Sequence, residues 1–297
     1  MKVIKPIALT DAMLVSSSAT ETVAAWNAAT NYSIDAQARL ASTHRIYTRL
    51  VAGISATSPD QDSVNWFDTG PDNTLAMFDG EISTSTSRAS SLTVVVDTGY
   101  VNSLALIGIG GSTSLTVATT DGAGGAVLYG QTINLDGTII ADWYQYFFEP
   151  SVLLDQVVFV DLPPYVAART TVTLTGPGTV SLAHMAFGSM YELGDAQYGA
   201  TAGITDYSRK DTDAFGVTTF TRRAYAKRMS LNLMLDSAQM NKVQRVLADL
   251  RATPCVWIGA EAQGFDPLTV FGFYRDFSIT VAYPTKSLCS LEIEGLS

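Results

Sequence analysis

LTVVVDTGY (residues 92–100), SLALIGIGG (103–111), LTVATTDG (115–122), AVLYG (126–130), QVVFVDLPPY (156–165), TTVTLTGPG (170–178) and TVSLAHMAFG (179–188) succeed one another through the middle of the chain. Each is a short run rich in Val, Thr, Leu and Ile, and Gly, Pro or Asp punctuates the succession. Short strands at regular spacing with turn formers between them are the pattern of an all-β sandwich or barrel. Residues 73–194 are therefore read as a jelly-roll or β-sandwich domain, and the chain as mainly β. Residues 93–97 and 157–161 are continuous apolar runs, expected where both sheet faces are covered, whereas TTVTLTG alternates and is expected to keep one face in solvent. Gly176-Pro177-Gly178 reads as a tight turn that makes residues 170–175 and 179–187 a hairpin.

Beyond residue 194 the composition shifts. DAQYGATAGITDYSRKDTDAFGVTTF (195–220) has no sustained period and reads as an extended connector. Residues 221–297 then form an α+β domain. Met240, Val243, Leu247 and Leu250 recur at helical spacing, Asp236 and Gln239 resemble a capping box, and Thr253-Pro254 stops the helix. RMSLNLML precedes it; PCVWIG, LTVFGFYRDFSITV and SLCSLEIEG follow it. This predicts one helix on one face of an antiparallel sheet. On the other side of the central domain, residues 1–20 contain VIKPIAL and read as an arm or connecting strand. Residues 21–72 form a small module punctuated by Trp26, Tyr32, Tyr47 and Trp66.

Composition narrows the function. Among 297 residues only 15% are charged, against about 25% in typical domains, a balance that suits a subunit covered by neighbours. The 18 basic and 28 acidic residues give a net charge of −10, which opposes a general grip on nucleic acid. The one basic cluster, Arg222, Arg223, Lys227 and Arg228, has no interleaved aromatic platform for bases and reads as a solvated or inter-subunit strand face. No run approaches the ~20 apolar residues of a membrane span. Pro6 and Asp11 interrupt the N-terminal apolar run, so no secretory signal is read and folding in a cytoplasm is expected. Cys255 and Cys289 lie in apolar runs and read as buried, reduced thiols. His44 and His184 have no second ligand at metal spacing, so no zinc site is expected. No cofactor is called for.

Apparent catalytic motifs dissolve on inspection. Asp68-Thr69-Gly70 and Asp97-Thr98-Gly99 suggest the paired carboxylates of an aspartic protease, but Pro71 and Tyr100 follow where a small residue belongs, and the copies lie too close for two lobes. Gly108-Ile109-Gly110-Gly111 lacks the spacing and the following helix of a phosphate loop. Asp121, Asp136, Asp142 and Asp155 fall on separate loops without a calcium signature. The chain is read as non-enzymatic.

The aromatic module offers contact chemistry instead, because Trp and Tyr faces desolvate cheaply while keeping a polar rim. The order AW-x5-Y, a strand to Tyr47, a Pro-containing loop and Trp66 resembles the chitin-binding type of carbohydrate-binding module, families five and twelve. Ser33-Ile34-Asp35 stands where that family carries Gly-Asp. The resemblance implies saccharide binding by Tyr47, Trp66, Tyr32 and Trp26; the structural alternative makes Trp26, Tyr32 and Trp66 the module's own miniature core, with core favoured for Trp26 and with Tyr47 and Trp66 the better contact candidates.

Three longer stretches carry a second resemblance: MKVIKPIALTDAMLVSSSA, NWFDTGPDNTLAMFDG, and LRATPCVWIG with VFGFYRDFSITVAYPTKSLCSLEIEGL. In them the chain resembles structural proteins of tailed-phage tails or baseplates. That implies a galactose-binding-like or jelly-roll domain beside a tail-assembly domain, other copies of the chain and neighbouring tail proteins as partners, and residence in the virion after assembly in the bacterial cytoplasm. The alternative function is a host-surface glycan-binding adhesin, with a surface saccharide as partner. Neither nucleic acid nor membrane insertion is implied.

Overall fold

The computed structural model describes residues 1–138, 140–261 and 264–296. Over these residues the protein is mainly β, with 51% strand and 11% helix. In chain order the strands begin with β1 (Lys2–Pro6) and β2 (Leu14–Ser17). The aromatic module supplies β3 (Asn31–Tyr32), β4 (Gln37–Leu40), β5 (Arg45–Arg49), β6 (Gly53–Ile54) and β7 (Trp66–Pro71). The central region supplies β8 (Thr86–Asp97), β9 (Ser103–Gly110), β10 (Ser114–Asp121), β11 (Val127–Asn134), helix α1 (Trp143–Phe148), β12 (Gln156–Phe159) and β13 (Ala168–Glu192). There follow β14 (Asp195–Ala196), β15 (Thr201–Asp206), β16 (Arg209–Thr212), β17 (Thr218–Thr221), β18 (Tyr225–Asp236), helix α2 (Met240–Asp249), β19 (Cys255–Ile258), β20 (Thr269–Thr280) and β21 (Lys286–Gly295).

Fourteen of these strands share one sheet, ordered β11-β10-β13-β1-β19-β20-β21-β18-β14, from which β2, β8, β9, β12 and β15 branch. The central core follows from the period of two. Leu92, Val94 and Val96 of β8, Leu115 and Val117 of β10, and Val172 and Leu174 of β13 are all buried, with Thr on the opposite face. The expectation that residues 93–97 are covered on both faces is corrected, since burial alternates along β8 and Val95 is only half-buried. The doubly covered strand is β9. Its Leu104 and Leu106 enter the central core, while Ala105 and Ile107 pack with Ile4, Ala186, Val256 and Phe271 in a second cluster.

The expected hairpin at Gly176-Pro177-Gly178 is also corrected. Residues 168–192 form one continuous strand, and β8 follows it on both sides of the three residues, with the register shifting between Thr175 and Thr179. Before the shift the other edge of β13 pairs with β10; after it, with β9. The three residues are thus a bulge at which the strand bends and exchanges neighbours. A side chain is excluded there: a Cβ on Gly176 would stand 2.0 Å from the Gly111 carbonyl oxygen.

β1 is an internal strand. It pairs with β13 from Lys2–Glu192 to Pro6–Gly188, and with β19 from Lys2–Ile258 to Ile4–Val256. Val3 faces the C-terminal core and Ile4 the second cluster, both fully buried. The C-terminal strands are antiparallel, as expected, and α2 buries Val243 and Leu247, with Leu250 just beyond it. Each such side chain contributes roughly 1.5–3 kcal/mol. The capping box does not form. A 3-10 turn, Ser237–Gln239, leads into α2, and the Asp236 carboxylate pairs with Lys286 at 2.7 Å. Residues 195–220, expected as a connector, carry strands β14 to β17. β14 and β15 pair with β18, and β16 and β17 form a separate hairpin.

Candidate functional site

The four rings named from sequence hold the aromatic module together. Tyr32, Tyr47 and Trp66 are buried, at 9%, 6% and 2% exposure, in one cluster with Ala38, against which Trp26, Ala36 and Leu40 pack. Tyr32 meets Trp66 edge to face, with centroids 5.0 Å apart and planes at 73°, and the Arg49 guanidinium covers Trp66 at 4.9 Å. The Tyr32 hydroxyl accepts a 2.8 Å bond from the Asn27 N–H. Trp26 is half-buried. The reading of Tyr47 and Trp66 as contact rings is therefore corrected: a sugar needs an open ring face, and these faces are filled by the module itself. With few aliphatics available in this segment, the rings are its apolar mass.

The motif carboxylates are likewise occupied. Arg169 donates two bonds to Asp97, at 2.6 and 2.8 Å, and holds its carboxyl below the usual range. Arg45 donates to Asp68 at 2.6 Å. The two residues lie on strands of different sheets, so no proton-sharing pair forms. Gly108 and Gly110 end β9, Gly111 follows it, and all three pack against β13. Both cysteines are buried and free, and burial raises their thiols to about 12 for Cys255 and about 11 for Cys289. Among the described residues no three His, Cys, Asp or Glu side chains gather as metal ligands, and no helix is long and apolar enough to cross a membrane. A groove of about 390 Å³ beside β15 and β18 is lined by Arg228, Arg275, Glu292 and Glu294, two charges of each sign. It presents no net charge to an ionic ligand.

Two projections, neither named from sequence as a site, carry much of the exposed aromatic surface. The first lies between β11 and β12. Its stem is the Asp136–Leu153 bridge, reinforced by the Gly137 N–H to Val152 O bond at 2.8 Å and the Leu154 N–H to Leu135 O bond at 2.8 Å. Beyond the stem, α1 begins at Asp142, whose carboxylate accepts from the Gln145 N–H at 2.8 Å. Trp143, Tyr144, Tyr146, Phe147 and Phe148 are all exposed, Trp143 to 78%. They touch mainly one another: Trp143 stacks on Phe147, and Tyr144 lies 5.0 Å from Phe148.

The second projection is the β16–β17 hairpin. Its four rungs run from Arg209–Thr221 to Thr212–Thr218. The turn is built by Asp213, whose carboxylate accepts from the N–H groups of Phe215 and Val217, and by Gly216 at φ 82°. Every residue from 206 to 225 is exposed, and Phe215 at the tip is 93% so. Both edges of the hairpin lack a strand partner among the described residues.

Signals for both projections are present in the sequence. WYQYFF places five rings in six residues, far more than a six-residue helix can turn inward, and DAFG inside a Thr-rich stretch is hairpin punctuation. No known family model matches the chain, and no curated protein is significantly similar to it. The arrangement offers contact surfaces, and it offers no assembled catalytic constellation among the described residues.

Proposed function

We propose that this protein is a structural component of a bacteriophage tail, at the tail tip or baseplate, which links the tail core to peripheral parts through protein–protein interfaces. The observation that carries the reading is the β16–β17 hairpin. An ordered two-stranded ribbon that buries nothing is marginal in water by itself, and an exposed strand edge is a template for another chain. A hairpin of this kind is suited to a neighbouring subunit. The resemblance of three stretches to tail and baseplate proteins supplies the context, and the low charge content agrees with it. In this reading the central strands are a jelly-roll or galactose-binding-like sandwich and the C-terminal strands with α2 are the tail-assembly domain. The partners are other copies and neighbouring tail proteins, and the location is the virion.

The adhesin alternative loses its main support, because the rings that would stack on a saccharide are the module's core. The test of the tail reading is proteomics and cryo-electron microscopy of particles released by cells that carry the gene. The expected result is density for this chain in the tail, with the hairpin against another subunit. Complete particles that lack the chain would overturn it.

A further inference from the structure

We infer that the β16–β17 hairpin of one copy docks on the aromatic helix α1 of a second copy, its Arg222-Arg223 root against the acidic, ring-rich helix. The inference rests on the assembly reading above and names the partner of its exposed ribbon. Charge distribution is the first argument. No Lys or Arg occurs between Arg88 and Arg169, so α1 sits in a stretch whose only charges are carboxylates, with Asp142 and Glu149 at its two ends. The hairpin and its root carry Arg209, Lys210, Arg222 and Arg223 against Asp206, Asp211 and Asp213, so the basic excess lies at the Arg222-Arg223 root and not in the ribbon. Arg209 pairs with Asp211 on its own strand, whereas Lys210, Arg222 and Arg223 make no ion pair with a described residue.

Chemical match is the second. Guanidinium groups lie favourably over Trp and Tyr faces, and α1 presents three such rings, while Phe215 and Phe220 of the hairpin supply apolar surface to pack against Phe147 and Phe148. The third argument is position. Lys227, two residues beyond the start of β18, reaches Asp155, the residue before β12, at 3.7 Å, so the root of the hairpin stands beside the root of the α1 projection. The five rings of α1 and residues 206–225 are nevertheless exposed, and neither set covers the other within one chain. The complement of each is present in the sequence but reaches it only from a second copy. A chain of net charge −10 repels its own kind at long range, so its self-association depends on a local patch of opposite sign such as this one.

Sedimentation of the full chain over a range of concentrations tests the contact, with three variants of exposed residues: Arg222→Glu with Arg223→Glu, Glu149→Lys, and Phe215→Ser. Unchanged denaturation midpoints confirm that each folds. The wild type is expected to self-associate, more weakly at about 1 M than at about 0.1 M salt. Each variant alone is expected to lose about tenfold or more in association. A mixture of the Arg222→Glu/Arg223→Glu protein with the Glu149→Lys protein is expected to recover it, because the reversed charges match again. A chain that stays monomeric, association indifferent to the substitutions, or a mixture without recovery would each overturn the contact. The tail reading fails separately: particles without the chain leave this solution contact intact, and loss of the contact leaves the particle result intact.

Discussion

His184 lies flat against Phe271, ring centroids 4.3 Å apart and planes at 30°, so that an imidazole from β13 stacks on a phenyl from β20. The pair sits at the junction of the central and C-terminal strands, and His184 is only 5% exposed. Burial pushes its pKa down to about 4, partly opposed by the charge of Asp79. Between pH 6.5 and about 4 the unfolded chain therefore binds a proton that the folded chain refuses. Stability is full above 6.5 and falls on acidification, by about 3 kcal/mol at pH 4, at about 1.4 kcal/mol per pH unit. Urea denaturation at pH 7.5 and 5.0 should show the loss, and His184→Leu should flatten it in this window. The ion-paired Asp97, whose pKa is held below that of a free carboxyl, gives up its own contribution only at lower pH.

Trp66→Ala should cost about 3–5 kcal/mol in the stability of the aromatic module, the range for emptying a large buried ring. Tyr47→Ala should act in the same direction. Limited proteolysis across residues 21–72, together with denaturation followed at the module, measures this. Variants as stable and as protease-resistant as the wild type would mean that the rings are not the module's core.

Gly111→Ala should destabilise by about 1–3 kcal/mol. Two causes act together: Gly111 has φ 65°, and a Cβ there would stand 2.1 Å from the Thr179 carbonyl oxygen beside the β13 bulge. Gly124→Ala serves as the control, since its φ of 70° carries the same backbone cost with open space around the Cβ. A larger shift in thermal midpoint for Gly111→Ala than for Gly124→Ala isolates the packing contribution.

Replacing residues 209–221 by a short Gly-Ser link should leave the unfolding midpoint of the monomer nearly unchanged. The hairpin buries no side chain in the described structure, and surface changes of this kind usually stay within about 0.5 kcal/mol. Calorimetry at a concentration where the chain is monomeric makes the comparison. A fall of several degrees would mean that the ribbon packs on its own chain.

The β-rich architecture was legible because its signals are local: Val and Thr at period two in β8, β10 and β13, and the Val243, Leu247 and Leu250 stripe of α2. What escaped depends on partners distant in sequence. Gly176-Pro177-Gly178 has turn composition, and only the matching register of β8 reveals a bulge. Asp236 has the residue type of a cap, but Lys286, fifty positions on, takes its carboxylate. The same limit governed the candidate site. Trp66 and Tyr47 are large rings among small polar residues, which suggests exposure until the module closes on them. The ring density of WYQYFF signals exposure locally, but the stem that projects the α1 loop depends on the pairing of Asp136 with Leu153 across it.

The position of β1 sets an order of events. Lys2 pairs with Glu192 on one side and Ile258 on the other, so β1 is made before both of its partners and pairs only once β13 and then β19 have left the ribosome. Until then the β13 and β19 flanks that will receive β1 are open edges, and Val3 and Ile4 have no interior to enter. The seam between the two halves therefore closes only after β19 has emerged, and the pairing of β18 and β20 with β21 comes later still. A premature stop before β19 would leave the first strand with half its hydrogen-bonding partners and expose the whole product to quality control.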